Sequence, residues 1–108
     1  MKRKSVGKVQ YTKSKLRKSK EWRQFRILME SLSGKVDALT LKPLRKGFNV
    51  HHMDMSEQNY AILVPERFRC LNKSSHELVH TLYRYYRTDP SILKRLGKLM
   101  KQMFELNK

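Results

Sequence analysis

Apolar positions along the chain follow several rhythms, and each rhythm predicts its own element. Trp22, Phe25, Met29 and Leu32 recur at steps of three, four and three, which is one face of a helix. Ser19 stands where an N-cap belongs, and Gly34 stands where such a helix ends. After punctuation at Pro43 and Gly47, Phe48-Asn49-Val50 opens an alternating run into His51-His52-Met53, which predicts a strand. Residues 54–67 read as a polar-then-apolar connection ending near Pro65, and Phe68-Arg69-Cys70-Leu71 alternates again as a short second strand. Ser74 followed three residues later by Glu77 resembles a capping box. The helix it opens carries Leu78, Leu82 and Tyr85 on a packing face. His76, His80, Tyr83, Arg84 and Arg87 share the adjacent face. Asp89-Pro90 starts a last helix, with Asp89 as cap and Pro90 at the first helical position. Leu93, Leu96, Met100, Met103 and Phe104 form its apolar stripe, and Lys94, Lys98 and Lys101 lie on another side. The pattern as a whole predicts an α+β chain with a helix before the two strands and two helices after them.

Length and charge change that picture at one end. The chain has 108 residues, enough for a single domain, placed here at residues 19–108 behind a basic arm at 1–18. Lys and Arg number 25 against 9 Asp and Glu, a formal net charge of +16. Nine of those cations fall in the first twenty residues without a single acid: Lys2, Arg3, Lys4, Lys8, Lys13, Lys15, Arg17, Lys18 and Lys20. A segment that repels itself this way, with only Val6, Val9, Tyr11 and Leu16 as larger apolar groups, is expected to stay extended until it meets a polyanion. Nucleic acid is the first such partner and an acidic membrane surface the second. No apolar run approaches the roughly 20 residues that cross a bilayer. The basic start is not followed by an apolar stretch with a small-residue cleavage site, so no secretory signal is expected. A lone cysteine, Cys70, excludes an internal disulfide and any zinc site made from cysteine pairs, and suits a reducing compartment.

All four histidines fall between positions 51 and 80. His76 and His80 are four apart on the expected helix, so their rings leave one face. His51 and His52 are neighbours on the expected strand and so point to opposite sides. One of that pair can therefore join the helical two on a metal ion, while the other stays available to accept a proton. A single His-x-x-x-His or a single His-His pair is weak evidence. The two together, on a strand, loop, strand and helix, point to a site.

HHMD followed by PERFRCLNKSSHELVH resembles the ββα-metal core of the HNH endonucleases. A His-His pair, 23 intervening residues, then His-x-x-x-His is a spacing similar to that of the nuclease colicins in that family. The order DALTLKPLRKGFNVHHMD then LNKSSHELVHTLYRYY is similar to small phage-encoded HNH proteins, and SKEWRQFR resembles the segment that precedes many such cores. The resemblance spans residues 19–87 and is strongest over 48–82. It implies a small ββα-metal core at about 46–87, flanked by an N-terminal helix and a C-terminal amphipathic helix. It also implies metal ligation by His51, His76 and His80, general-base catalysis by His52, and a DNA substrate in preference to RNA. A phage-encoded protein of this kind would act in the cytoplasm of a bacterial host cell. Arg67 stands near the place of the family's middle asparagine, with Asn59 and Asn72 as the nearest amides. The cysteine pairs of many relatives are missing, and DALTLKPL lies where the first pair would fall, so apolar contacts are expected to hold the fold alone.

The expected chemistry is hydrolysis of a phosphodiester bond with one divalent ion. Three imidazoles suit Zn²⁺, Ni²⁺ or Mn²⁺ better than Mg²⁺, which prefers oxygen. A neutral imidazole, with an ordinary pKa of about 6.5, can take a proton from water near neutral pH. Asp54 is a candidate oxygen ligand to the ion or a partner just behind it. Arg84, Arg87 and Arg67 are candidates for holding phosphate, with Arg84 first because it follows His80 by one turn. The alternatives are a non-catalytic DNA- or RNA-binding protein on the same scaffold, a structural four-histidine zinc module, and a membrane-surface role for the last helix.

Overall fold

The computed structural model describes residues 19–54 and 62–108. The arm at 1–18 and residues 55–61 of the inter-strand connection, Asn59 among them, lie outside the described residues. The described chain is mixed α+β, in the order α1 (Lys20–Leu32), β1 (Asn49–His52), β2 (Phe68–Leu71), α2 (Lys73–Tyr86) and α3 (Ile92–Leu106). The chain divides into two compact units, Met1–Lys73 and Ser74–Lys108.

In the first unit, α1 begins as its sequence requires. The Ser19 hydroxyl accepts the Trp22 amide at 3.1 Å, satisfying one of the amides that a helix start leaves without a partner. Gly34, at φ +69°, ends the helix in the left-handed conformation that glycine tolerates. Strands β1 and β2 pair antiparallel, with His51 opposite Arg69 and His52 opposite Phe68. The core is Trp22, Phe25 and Met29 from α1, Phe48 and Val50 around β1, and Phe68 and Cys70 from β2. The aromatic rings meet edge-on or tilted, Phe25 against Phe68 at 4.8 Å between centroids, an arrangement that adds to simple area burial. Leu32 completes the sequence pattern but is 60% exposed, so the packed face of α1 is one turn shorter than its periodicity suggested.

Residues 33–48 are held by polar contacts as well as apolar ones, contrary to the expectation that apolar contacts act alone. Asp37 is fully buried (0% exposed). Its Oδ1 accepts the Leu39 and Thr40 amides at 2.7 and 2.8 Å, and its Oδ2 accepts the Asn72 amide at 2.7 Å. The Asn72 side chain in turn accepts the Arg45 amide at 2.7 Å and donates to the Pro43 carbonyl at 3.1 Å. A buried carboxylate is tolerated when backbone amides replace its water. Here two of those amides belong to a loop without regular structure, and the third, from Asn72, ties that loop to the end of β2.

In the second unit, α2 starts at Lys73, so Ser74 lies inside the helix and does not cap it. The expected packing face is not a core. Leu78 and Tyr85 are exposed, Leu82 is half-buried, and the buried residue of this helix is Ser75. Helix α3 starts at Ile92 with Ser91 at its cap position, two residues after the expected Asp89. Asp89 pairs with Arg95, and its carbonyl accepts the Ile92 amide at 3.0 Å, so it closes the turn before the helix. No residue of α3 is buried.

Candidate metal centre

The side chains of His51, His76 and His80 each bring a ring nitrogen within 4.8 Å of the others. His51 is buried on β1, and the other two are half-buried on α2. One helical turn separates His76 from His80, and their Nε2 atoms lie 3.1 Å apart with the rings nearly perpendicular. Two nitrogens bound to one tetrahedral ion at about 2.0–2.1 Å stand roughly 3.3 Å from each other. The helical pair therefore already sits close to the spacing of two ligands on one ion. At that distance an Nε2–H on one neutral ring can donate to the Nε2 of the other.

The donor set is chemically consistent with a divalent metal. Three imidazoles form an all-nitrogen set that suits borderline ions such as zinc and nickel. Three protein ligands also leave room for a fourth, exchangeable one, which separates catalytic from structural sites. The cluster can hold a metal ion. No carboxylate joins it among the described residues.

His52 lies on the other side of β1, as alternation demands. Its ring stacks on Phe68 at 4.5 Å between centroids and 7° between planes. Both of its ring nitrogens are buried. Neighbouring histidines thus have different surroundings, one beside two imidazoles and one flat against an aromatic ring.

The other expected residues are spread more widely. Asp54 meets Arg67 through a 3.5 Å ion pair on the surface, a geometry that contributes little to stability. The Arg67 carbonyl accepts the Met53 amide at 2.7 Å, so this residue extends the strand pairing past His52. Arg84 and Arg87 are exposed on and just after α2, and the Arg84 guanidinium reaches Thr81 at 3.5 Å. Lys20 is exposed at the start of α1, and the other arm cations lie outside the described residues. Cys70 is buried, and that burial pushes its thiol above the ordinary range despite a hydrogen bond with Ser33. It is a core residue and no ligand.

Sequence reasoning missed Asp37. The signal was present in Asp37-Ala38-Leu39-Thr40, since an aspartate that accepts amides two and three residues on is a recognised turn former. Comparison with protein-family models, curated proteins and solved structures finds no match to this chain. Among the described residues, no helix is long and apolar enough to cross a membrane.

Proposed function

We propose that this protein is a metal-dependent endonuclease of the HNH type, hydrolysing phosphodiester bonds of DNA. The observation that carries the reading is the convergence of His51, His76 and His80, with His52 next in the chain on the opposite side of the same strand. The three clustered histidines would hold one divalent ion. Bound there, such an ion supplies positive charge for a phosphate oxygen and for the leaving oxygen. His52 is the general base that takes a proton from the attacking water, and its stacking on Phe68 fixes the direction of its ring. Arg84, Arg87 and Arg67 are the guanidiniums proposed to hold phosphate oxygens, and the basic arm supplies sequence-independent grip. The absence of a cluster of base-reading side chains on any helix among the described residues fits cleavage with weak sequence preference.

The burial of both His52 nitrogens supports a second reading, a DNA- or RNA-binding protein on the same scaffold that does not cut. Nicking of supercoiled plasmid separates the two. Wild type and His52→Ala are compared in Mg²⁺, Mn²⁺, Ni²⁺ and Zn²⁺, with metal binding followed by calorimetry. The nuclease reading expects His52→Ala to lose about 10²-fold or more of the rate while still binding metal. Equal nicking by both proteins, or none by wild type in any metal, overturns it.

A further inference from the structure

We propose that the hairpin of residues 35–46 is a phosphate-gripping surface for duplex DNA, built from residues outside the histidine cluster. This rests on the nucleic-acid substrate of the reading above, but not on cleavage.

The hairpin is defined by its backbone. Val36 bridges Pro43, the Leu44 amide donates to the Lys35 carbonyl at 2.9 Å, and the Asp37 amide donates to the Lys42 carbonyl at 2.8 Å. The segment therefore doubles back on itself and carries Lys35, Lys42, Arg45 and Lys46, all exposed. Its one acid is Asp37, which is fully buried, with its carboxylate already accepting three backbone amides. The charges it shows to solvent are all cationic, beside the exposed Leu39 and Leu41. Arg26, whose guanidinium lies 3.8 Å over the Phe48 ring, adds a cation beside the turn that follows.

Two further features separate this hairpin from an ordinary solvated loop. Lys35 and Leu41 both sit at φ +62°, a left-handed conformation that carries about 1–2 kcal/mol of strain for such residues. Strain of this kind persists only where the surroundings over-determine it, as the Asp37 and Asn72 hydrogen bonds do here. Surface charge that serves solubility needs no fixed shape and usually mixes its signs. A small domain that buries a carboxylate to fix four like charges has a surface suited to a regular polyanion. Such contacts position a duplex without reading its sequence.

The test is the salt dependence of binding to a fluorescently labelled duplex DNA, followed by anisotropy in EDTA so that nothing is cut. The full chain is compared with Lys35→Asn/Lys42→Gln/Arg45→Gln/Lys46→Gln. A matched control, Lys94→Gln/Lys98→Gln/Lys101→Gln/Lys108→Gln, removes the same charge from the last helix and, at Lys108, from just beyond it. Each phosphate contact contributes about 0.9 to the slope of log K against log salt. The hairpin variant is expected to lose about 3 units of slope and to bind at least ~10-fold more weakly at ~0.15 M salt. The control is expected to stay within about one unit of wild type. Every substituted side chain is exposed, so unchanged circular dichroism and melting accompany both variants. Equal losses in the two variants, a hairpin variant that matches wild type, or a wild type that binds no duplex overturns the proposal. Wild type that binds with this slope yet nicks no plasmid in any metal removes the nuclease reading and leaves the hairpin's role standing. Cleavage with an unaltered slope in the hairpin variant does the reverse.

Discussion

Helices α1 and α3 carry the same kind of apolar stripe and meet opposite fates. In α1 the stripe is buried at Trp22, Phe25 and Met29 against two strands. In α3, Leu93, Met100, Met103 and Phe104 are all exposed, Phe104 at 69%. Periodicity reports which face of a helix is apolar. Whether that face is buried depends on a second apolar surface, which the strands provide for α1. The same contrast holds between α1 and α2, whose Leu78 and Tyr85 follow helical spacing and stay exposed. A stability map of this protein should therefore be lopsided.

The largest expected effect tests that directly. Phe68 is 1% exposed and touches Trp22, Phe25 and His52. Phe68→Ala is expected to remove about 3–5 kcal/mol of unfolding free energy in urea, whereas Phe104→Ala is expected to change it by less than about 0.5 kcal/mol. Similar losses at both positions would break the comparison and place Phe104 in a core.

A metal should sharpen the contrast by stabilising from a third place. Zinc at about 100 times its dissociation constant is expected to add about 2.7 kcal/mol to wild type in a thermal melt. His76→Ala should lose most of that increment, because it removes one of the two nitrogens that stand 3.1 Å apart. Zinc that stabilises both proteins equally would move the ion elsewhere.

The smallest effect lies at the start of α1. Ser19→Ala removes the hydroxyl that accepts the Trp22 amide and is expected to cost about 1 kcal/mol. Ser91 makes no side-chain hydrogen bond at the cap of α3, so Ser91→Ala should be nearly silent in the same melt.

Legibility followed the range of the interaction. The α1 cap, its Gly34 stop and the span of β2 depend on neighbours a few residues away, and the sequence pattern located all of them, although β2 buries both Cys70 and Leu71 where strict alternation would expose one. The Ser74 cap failed where contacts distant in sequence intervene. Asn72 uses its side chain on the Pro43 carbonyl and the Arg45 amide, and the helix begins at Lys73. Asp37 escaped notice because its importance comes from Asn72, 35 residues away, which no local pattern encodes.

The candidate site divides along the same line. Four-residue spacing on a helix was enough to put His76 and His80 side by side, and strand alternation was enough to send His51 and His52 to opposite faces, since both follow from backbone geometry. That His51 rather than His52 joins the helical pair, and that His52 instead lies against Phe68, is a tertiary outcome. It depends on the register that sets His52 opposite Phe68 and His51 opposite Arg69. A one-residue slip would exchange the two imidazoles while leaving every residue in the chain the same.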